Sequence, residues 1–377
     1  MSPRIPLAKP EITDEDRQAV LDVLHTSHLS MGPKVQEFEQ AVCDYTGAGH
    51  AVAVNSGTSA LHIAVRALGL EAGAEVILPS FTFSALLNVI LQEGLRPKFV
   101  DIDPRTYNTS PEAVAVAITS ETRLILTVHT FGLPVDSQTL RQIAEKHHLH
   151  LIEDACEALG TEIHGRKAGT FGEAGLFAFY PNKQLTTGEG GMLVTSDEQL
   201  ALHARRLRNQ GRDPALDWYQ HADIGFCCRL SDINCALGVS QLARIDAVIE
   251  RRRKLAEIYD RELAQNAGLI RPPLTSDVGR ISWFVYAVQL APEFNANDRD
   301  RICESLLRKG IGAGRYFAPL HRQPVLNPYG NFPTLPQTEL VADRVIALPF
   351  FNALTEHEIQ EVCGALEESM RELRRKM

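Results

Sequence analysis

From residue 50 onward, short apolar runs rich in β-branched residues alternate with longer stretches whose apolar positions recur every three to four residues. This is the pattern of strand–helix–strand units in a parallel sheet. Strands are expected at 50–55, 75–78, 97–101, 123–129 and 150–154, with helices between most of them. Two further apolar runs, 175–180 and 191–195, flank a glycine-rich loop. The first strand leads into Ser56-Gly57-Thr58-Ser59 and then a helix whose Leu61, Ala64, Val65 and Leu68 share one face before Gly69 ends it. After about residue 240 the rhythm changes. A long helix ends near Glu262, a strand-like run covers 283–290, a helix covers 298–309, and a proline-punctuated loop follows. The chain reads as an α/β protein of two domains, 1–245 and 246–377, bridged by one helix, with residues 1–30 free to pack on either.

Composition narrows the function. With 377 residues, 44% apolar and 23% charged, the chain has the make-up of an ordinary globular protein with a large core. Its net charge of −9 opposes polyanions, so nucleic-acid binding would require a strong local basic face. The run Arg251, Arg252, Arg253 and Lys254 is read instead as a solvated helix face. Seven cysteines without a C-x-x-C spacing argue against a disulfide framework or a thiolate zinc site, and they suit a reducing cytoplasm. His147, His148 and His150 lack the spacing of a metal motif, so no metal is expected. There is no apolar stretch of about 18 residues and no signal-type apolar run near residue 1, so neither membrane insertion nor export is expected. Neither a G-x-G-x-x-G after the first strand nor a P-loop is present, which leaves dinucleotide and ATP binding without local support.

In an open parallel sheet, ligands bind beyond the carboxyl ends of the strands, so the residues just after each strand are the informative ones. Ser56-Gly57-Thr58-Ser59 joins a strand end to a helix start. Free backbone N–H groups there could seat a phosphate, with Gly57 allowing close approach and Thr58 adding a hydroxyl; the plainer reading is a helix cap by Thr58 or Ser59. Glu153-Asp154 closes the strand from His150, where a carboxylate could keep a pyridine nitrogen protonated or could simply serve a turn. Lys183 follows the apolar Phe177-Ala178-Phe179-Tyr180 run and precedes Gly188-Glu189-Gly190-Gly191. An amine there could be desolvated enough to attack an aldehyde, although most lysines are surface residues. A phosphate seat, an acid and a lysine, in that order, form the constellation that pyridoxal phosphate (PLP) needs.

The same segments carry a family resemblance. Asn55-Ser-Gly-Thr-Ser-Ala-Leu61, Thr82-Phe83, His129-Thr-Phe-Gly132, Ile152-Glu-Asp-Ala155, Phe179-Tyr-Pro-Asn-Lys183 and Arg229-Leu-Ser-Asp-Ile-Asn234 resemble the DegT/DnrJ/EryC1/StrS sugar aminotransferases, a branch of fold type I. The resemblance runs from Gly32-Pro33 to Ala347-Leu-Pro-Phe-Phe351. It implies a large domain with a mostly parallel central sheet and a smaller C-terminal α+β domain. It also implies that Lys183 carries PLP as a Schiff base, Asp154 pairs with the pyridinium nitrogen, Gly57 and Thr58 hold the phosphate, Phe83 stacks on the ring, and Glu157 lies near the ring hydroxyl. Two positions depart from the family pattern: Ala178 stands where Ser is frequent, and Cys227 where Asn reaches the neighbouring subunit's phosphate. Arg229 is retained, and the resemblance implies a homodimer with shared active sites. The implied reaction moves an amino group from L-glutamate to a keto group of a nucleotide-linked deoxysugar. Ser282-Trp-Phe-Val-Tyr286 and Tyr316-Phe-Ala-Pro-Leu-His321 lean toward 4-keto-6-deoxy sugars, with Tyr316 and His321 as substrate contacts or as packing at a proline-rich turn. A cyclitol or other cyclic ketone as acceptor, and a non-catalytic sensor that keeps the fold, are the alternatives.

Overall fold

The computed structural model describes residues 3–213, 216–217 and 220–374. In chain order its first strands are β1 (His50–Val54), β2 (Glu75–Pro79), β3 (Arg96–Val100), β4 (Thr122–Val128), β5 (His150–Asp154), the two-residue β6 (Glu162–Ile163) and β7 (Arg166–Lys167), β8 (Ala174–Ala178) and β9 (Gly191–Thr195). One seven-stranded sheet runs in the order β1-β9-β8-β5-β4-β2-β3. All its pairings are parallel except those of β9, which runs antiparallel to both β1 and β8. The carboxyl ends of β1, β2, β4, β5 and β8 therefore share one edge, and the first residue of β9 starts at that same edge.

Helices cover both faces. Gly57–Ala67 and Ala85–Gln92 bury Leu61, Ala64, Leu86 and Val89 against one face, and Pro33–Thr46 and Asp232–Leu242 cover part of the other, sealing Phe38 and Cys235. Apolar runs buried on both faces explain why these strands lack strict alternation.

The later strands are β10 (Leu269–Ile270), β11 (Gly279–Arg280), β12 (Tyr286–Leu290) and β13 (Val345–Leu348). β10, β12 and β13 make a second, antiparallel sheet, while β11 joins β6 and β7. The long helix Ile245–Glu262 connects the two cores. Its Ile245, Val248 and Ile249 pack beneath the large sheet, and its Leu255, Ala256 and Tyr259 pack in the core of the second sheet. The N-terminal segment is divided in the same way. Ile5 belongs to the second core, while Asp16, fully buried, accepts hydrogen bonds from Ser240, Gln241 and Arg244 beside the helix Asp232–Leu242.

Two features depart from the sequence reading. The strand expected at 283–290 begins only at Tyr286, because the residues before it are docked on the large sheet's edge by Ser282. Arg252 is not solvated but 4% exposed. Its guanidinium donates to the carbonyls of Trp283 and Phe284 and to Asn352, which replaces the water it loses.

Candidate active site

A cavity of about 480 Å³ opens at the carboxyl edge of the large sheet. Seven of the residues singled out in the sequence line it: Gly57, Thr58, Phe83, Asp154, Glu157, Lys183 and Tyr316.

The floor is set by the turn from β1 into its helix. Ser56, neither Thr58 nor Ser59, is the cap: its Oγ accepts from the Ser59 N–H at 3.1 Å. The N–H groups of Gly57 and Thr58 have no partner within the helix, as the first turn of any helix leaves them free, and the positive end of the helix dipole lies with them. Gly57 is required by space. A Cβ there would stand 2.7 Å from the Ala178 Cβ and 3.0 Å from the Cys156 Sγ.

Side-chain alternation along β5 sorts its two final carboxylates. Asp154 faces the cavity, and its Oδ1 accepts from the Cys156 N–H at 2.9 Å. Glu153 points the other way into full burial. It accepts from the backbone N–H groups of Phe171 (2.6 Å) and Gly172 (3.2 Å) and lies 3.1 Å from His129 Nε2. His129 Nδ1 accepts the Val135 N–H, so Nε2 carries the proton and donates to Glu153. Burial pushes the Glu153 carboxyl up, but His129 and the Phe171 N–H outweigh it and hold the group below its ordinary value.

Lys183 sits on a tight turn in which its N–H bonds the Tyr180 carbonyl at 2.9 Å. Its side chain is 14% exposed, with Nζ 3.4 Å from Glu157 Oε1 and 4.1 Å from the centre of the Phe284 ring. Glu157 also accepts the Phe131 N–H at 2.9 Å. Burial raises the Glu157 carboxyl above its ordinary value; Lys183 and the Phe131 N–H pull it down, and Asp154 pushes it up further. Phe284 reaches Nζ because Gly132 lets the chain before it approach. A Cβ on Gly132 (φ +86) would lie 1.8 Å from the Ser282 carbonyl oxygen. Gln184 closes this junction, donating to the carbonyls of Glu157 (2.7 Å) and Ser282 (3.1 Å).

Two of the sequence candidates lie outside this cavity. Arg229 is half-buried and donates from Nη1 to Asn209 Oδ1 at 2.9 Å. His321 is bonded through Nδ1 to Ser80 Oγ at 2.7 Å and through Nε2 to Glu339 at 3.0 Å, beside a separate groove of the proline-rich loop. Of the two departures from the family pattern, Ala178 lines the cavity and Cys227 is exposed away from it. Asn182, Glu189 and Phe284, which the sequence marked only as members of longer motifs, and Cys156, which it did not mark, also line it. Only proximity to motif residues, as for Asn182 before Lys183, could have singled them out.

These residues fit PLP. The helix start with its glycine-kept cradle suits a phosphate, and Asp154 offers an acceptor to a ring nitrogen. Phe83, an aromatic side chain left 61% exposed in the cavity wall, offers a ring face.

The family model for DegT/DnrJ/EryC1/StrS aminotransferases matches residues 10–367. The chain is 37% identical over 369 residues to the GDP-perosamine synthase of Caulobacter vibrioides, covering 97% of this chain and 98% of that one. Among solved structures it is similar to Helicobacter pylori PseC, an aminotransferase involved in the biosynthesis of pseudoaminic acid. The TM-score is 0.94 at 29% identity, with 98% of this chain and 99% of that one covered. It is also similar to the PLP form of the putative sugar aminotransferase Spr1654 of Streptococcus pneumoniae, with a TM-score of 0.92 at 25% identity over 98% of this chain and 99% of that one. A PLP-type cavity on this sheet, in a chain matched along almost its whole length, is accounted for in one way: the chain belongs to the DegT/DnrJ/EryC1/StrS family and is a PLP-dependent aminotransferase of fold type I.

Proposed function

We propose that the protein transfers an amino group from L-glutamate to the keto group of a nucleotide-linked 4-keto-6-deoxy sugar. The observation that carries the reading is Lys183 Nζ, shielded in the cavity between Glu157 and the Phe284 ring and facing the helix start at Gly57 across it. The sugar acceptor is supported by the relatives named above, a GDP-perosamine synthase and an aminotransferase of pseudoaminic acid biosynthesis.

Each side chain has a task in this reading. The Gly57 and Thr58 N–H groups bind the phosphate, and Phe83 covers one ring face. Asp154 holds the proton at the pyridine nitrogen, and Lys183 holds the cofactor through Nζ. PLP, when bound, supplies an electron sink for the carbanion left when a proton leaves the substrate carbon. Lys183 Nζ, released when the donor's amino group takes its place on the cofactor, would take up that proton. Glu157, a carboxyl with raised proton affinity 3.4 Å away, can hold a proton on behalf of Nζ. Burial of Lys183 and Glu157 keeps bulk water from competing for it.

We further propose a homodimer with shared active sites. Among the described residues lining the cavity, Lys183 is the one cation, against Asp154, Glu157 and Glu189. A cofactor phosphate, an acidic donor and a nucleotide diphosphate together call for more positive charge, and Arg229 of a second copy would supply it. The exposed Ile224, 88% accessible, is apolar surface suited to such a partner. In this proposal the chain works as two lobes, 1–245 and 246–377, with the N-terminal segment packed on both. The setting is a reducing cytoplasm, which suits its free cysteines.

The test is to convert the purified PLP enzyme to its pyridoxamine form with L-glutamate and then to add keto-sugar nucleotides one at a time. Return of the original visible spectrum with a 4-keto-6-deoxy sugar is the expected result. No conversion by glutamate refutes the donor, and return of the spectrum only with a cyclitol ketone refutes the acceptor.

A further inference from the structure

One polar group in the cavity has no task in the reading above. Asn182 immediately precedes Lys183 and lines the same cavity, and its Oδ1 is shielded from solvent with no hydrogen-bond partner among the described residues. A shielded carboxamide oxygen left unpaired is costly, so its retention calls for a ligand atom that donates to it. The Tyr316 hydroxyl lies beside the same side chain, whose carboxamide lowers the hydroxyl's proton affinity. Burial and Glu157 hold that hydroxyl in its neutral, hydrogen-bonding form at neutral pH.

The position of Asn182 is rigidly set. Pro181 and Asn182 occupy the two central places of the turn closed by the Lys183 N–H and the Tyr180 carbonyl. A proline in the first of these places fixes the turn before any ligand arrives. The hydroxyl of Thr186 and the N–H of Thr187 both bond the Phe179 carbonyl and anchor the same loop from behind. Lys183 Nζ must reach the carbon that is aminated. The side chain one residue earlier on the same turn lines the same cavity.

We propose that Asn182 Oδ1 accepts a hydrogen bond from the hydroxyl on the ring carbon adjacent to the ketone, which makes Asn182 a specificity-determining residue for the acceptor sugar. This rests on the keto-sugar reading of the cavity and adds to it a requirement for one hydroxyl. An acceptor oxygen built to receive a hydroxyl disfavours the analogue that lacks it, since the oxygen is then buried against a C–H.

The experiment uses the full-length enzyme in its pyridoxamine form, which does not react with an amino sugar. Calorimetry gives the Kd of a GDP-linked 4-amino-4,6-dideoxyhexose and of its 3-deoxy counterpart. The wild-type enzyme is expected to prefer the 3-hydroxy ligand by about tenfold, the worth of one shielded hydrogen bond. In Asn182→Ala the preference falls to about one, through weaker binding of the hydroxylated ligand alone, and in Asn182→Asp, which keeps an acceptor oxygen, it survives. PLP affinity and the rate of conversion by glutamate stay at wild-type values in Asn182→Ala. A preference that persists in Asn182→Ala overturns the proposal, as does a loss of PLP affinity or of the glutamate step in that variant, which would assign the side chain to the cofactor. Wild-type enzyme that binds both ligands equally also overturns it, while leaving the keto-sugar reading intact. Wild-type enzyme that binds neither ligand, nor their UDP- and dTDP-linked counterparts, overturns the keto-sugar reading, and the role of Asn182 falls with it.

Discussion

Replacing Gly57 with alanine tests where the phosphate is seated. The new Cβ would lie 2.7 Å from the Ala178 Cβ and 3.0 Å from the Cys156 Sγ. Carbon atoms in good contact stand about 3.5 to 4.0 Å apart, so roughly 1 Å must open. Neither neighbour can swing aside cheaply. Ala178 has no atoms beyond its Cβ and is paired within β8, and Cys156 is tied to the end of β5 by its bond to Asp154. The yielding part is the helix start itself, which carries the Gly57 and Thr58 N–H groups away from the cradle. Overpacking of this kind costs about 1 to 3 kcal/mol. If that cost falls on the bound state, the Kd for PLP rises by about 5- to 150-fold. Alanine is a better helix former than glycine, by up to about 1 kcal/mol, so the fold itself should lose little stability. Titration of the apoprotein with PLP, followed by absorbance, measures the change, and a thermal melt measures the fold. Ala178→Gly in the Gly57→Ala background removes the nearer contact and should restore much of the affinity. A Gly57→Ala protein that binds PLP like the wild type, or a double variant with no recovery, would refute the seat.

Three other outcomes follow from the geometry. The Glu153 carboxyl is held below its ordinary value of 4.5, so its contribution to stability is complete above that pH and is lost as the pH falls through the lower folded-state value. Urea unfolding of Glu153→Gln should therefore show a deficit of about 1 to 3 kcal/mol at pH 7 that shrinks below pH 4.5; a deficit independent of pH would contradict the charged assignment. Arg252→Met leaves the Trp283 and Phe284 carbonyls without their donor and should cost about 2 to 4 kcal/mol in the same assay. Arg252→Lys should not rescue it, because a single ammonium nitrogen cannot match the reach of the guanidinium, which bonds Asn352 from Nε and the two carbonyls from Nη1. Mixing inactive Lys183→Ala with inactive Arg229→Ala should, after subunit exchange, return activity up to about a quarter of wild type if two copies share each site; no recovery from subunits shown to exchange would refute sharing.

Much of this molecule could be read along the chain. The strand His50–Val54, the turn at Gly57, the acid ending β5 and the lysine after β8 are local signals. A turn of that kind, a short apolar run and a loop rich in glycine each leave their mark in consecutive residues. Boundaries moved where distant contacts intervened. β12 starts late because Ser282 is held by Thr161 and Leu159, and Arg252 is buried because carbonyls from another element surround it.

What consecutive residues determined by themselves, then, was the order of the elements and the candidates for a phosphate seat, an acid and an amine, since helix starts, strand ends and turns are dictated by neighbours a few positions away. Tertiary structure alone decided that Phe284 closes over Lys183, that Asn182 keeps a free oxygen there, and that His321 turns instead to Ser80 and Glu339. Those outcomes depend on which surfaces meet when segments a hundred or more residues apart pack together, and no local periodicity encodes that meeting.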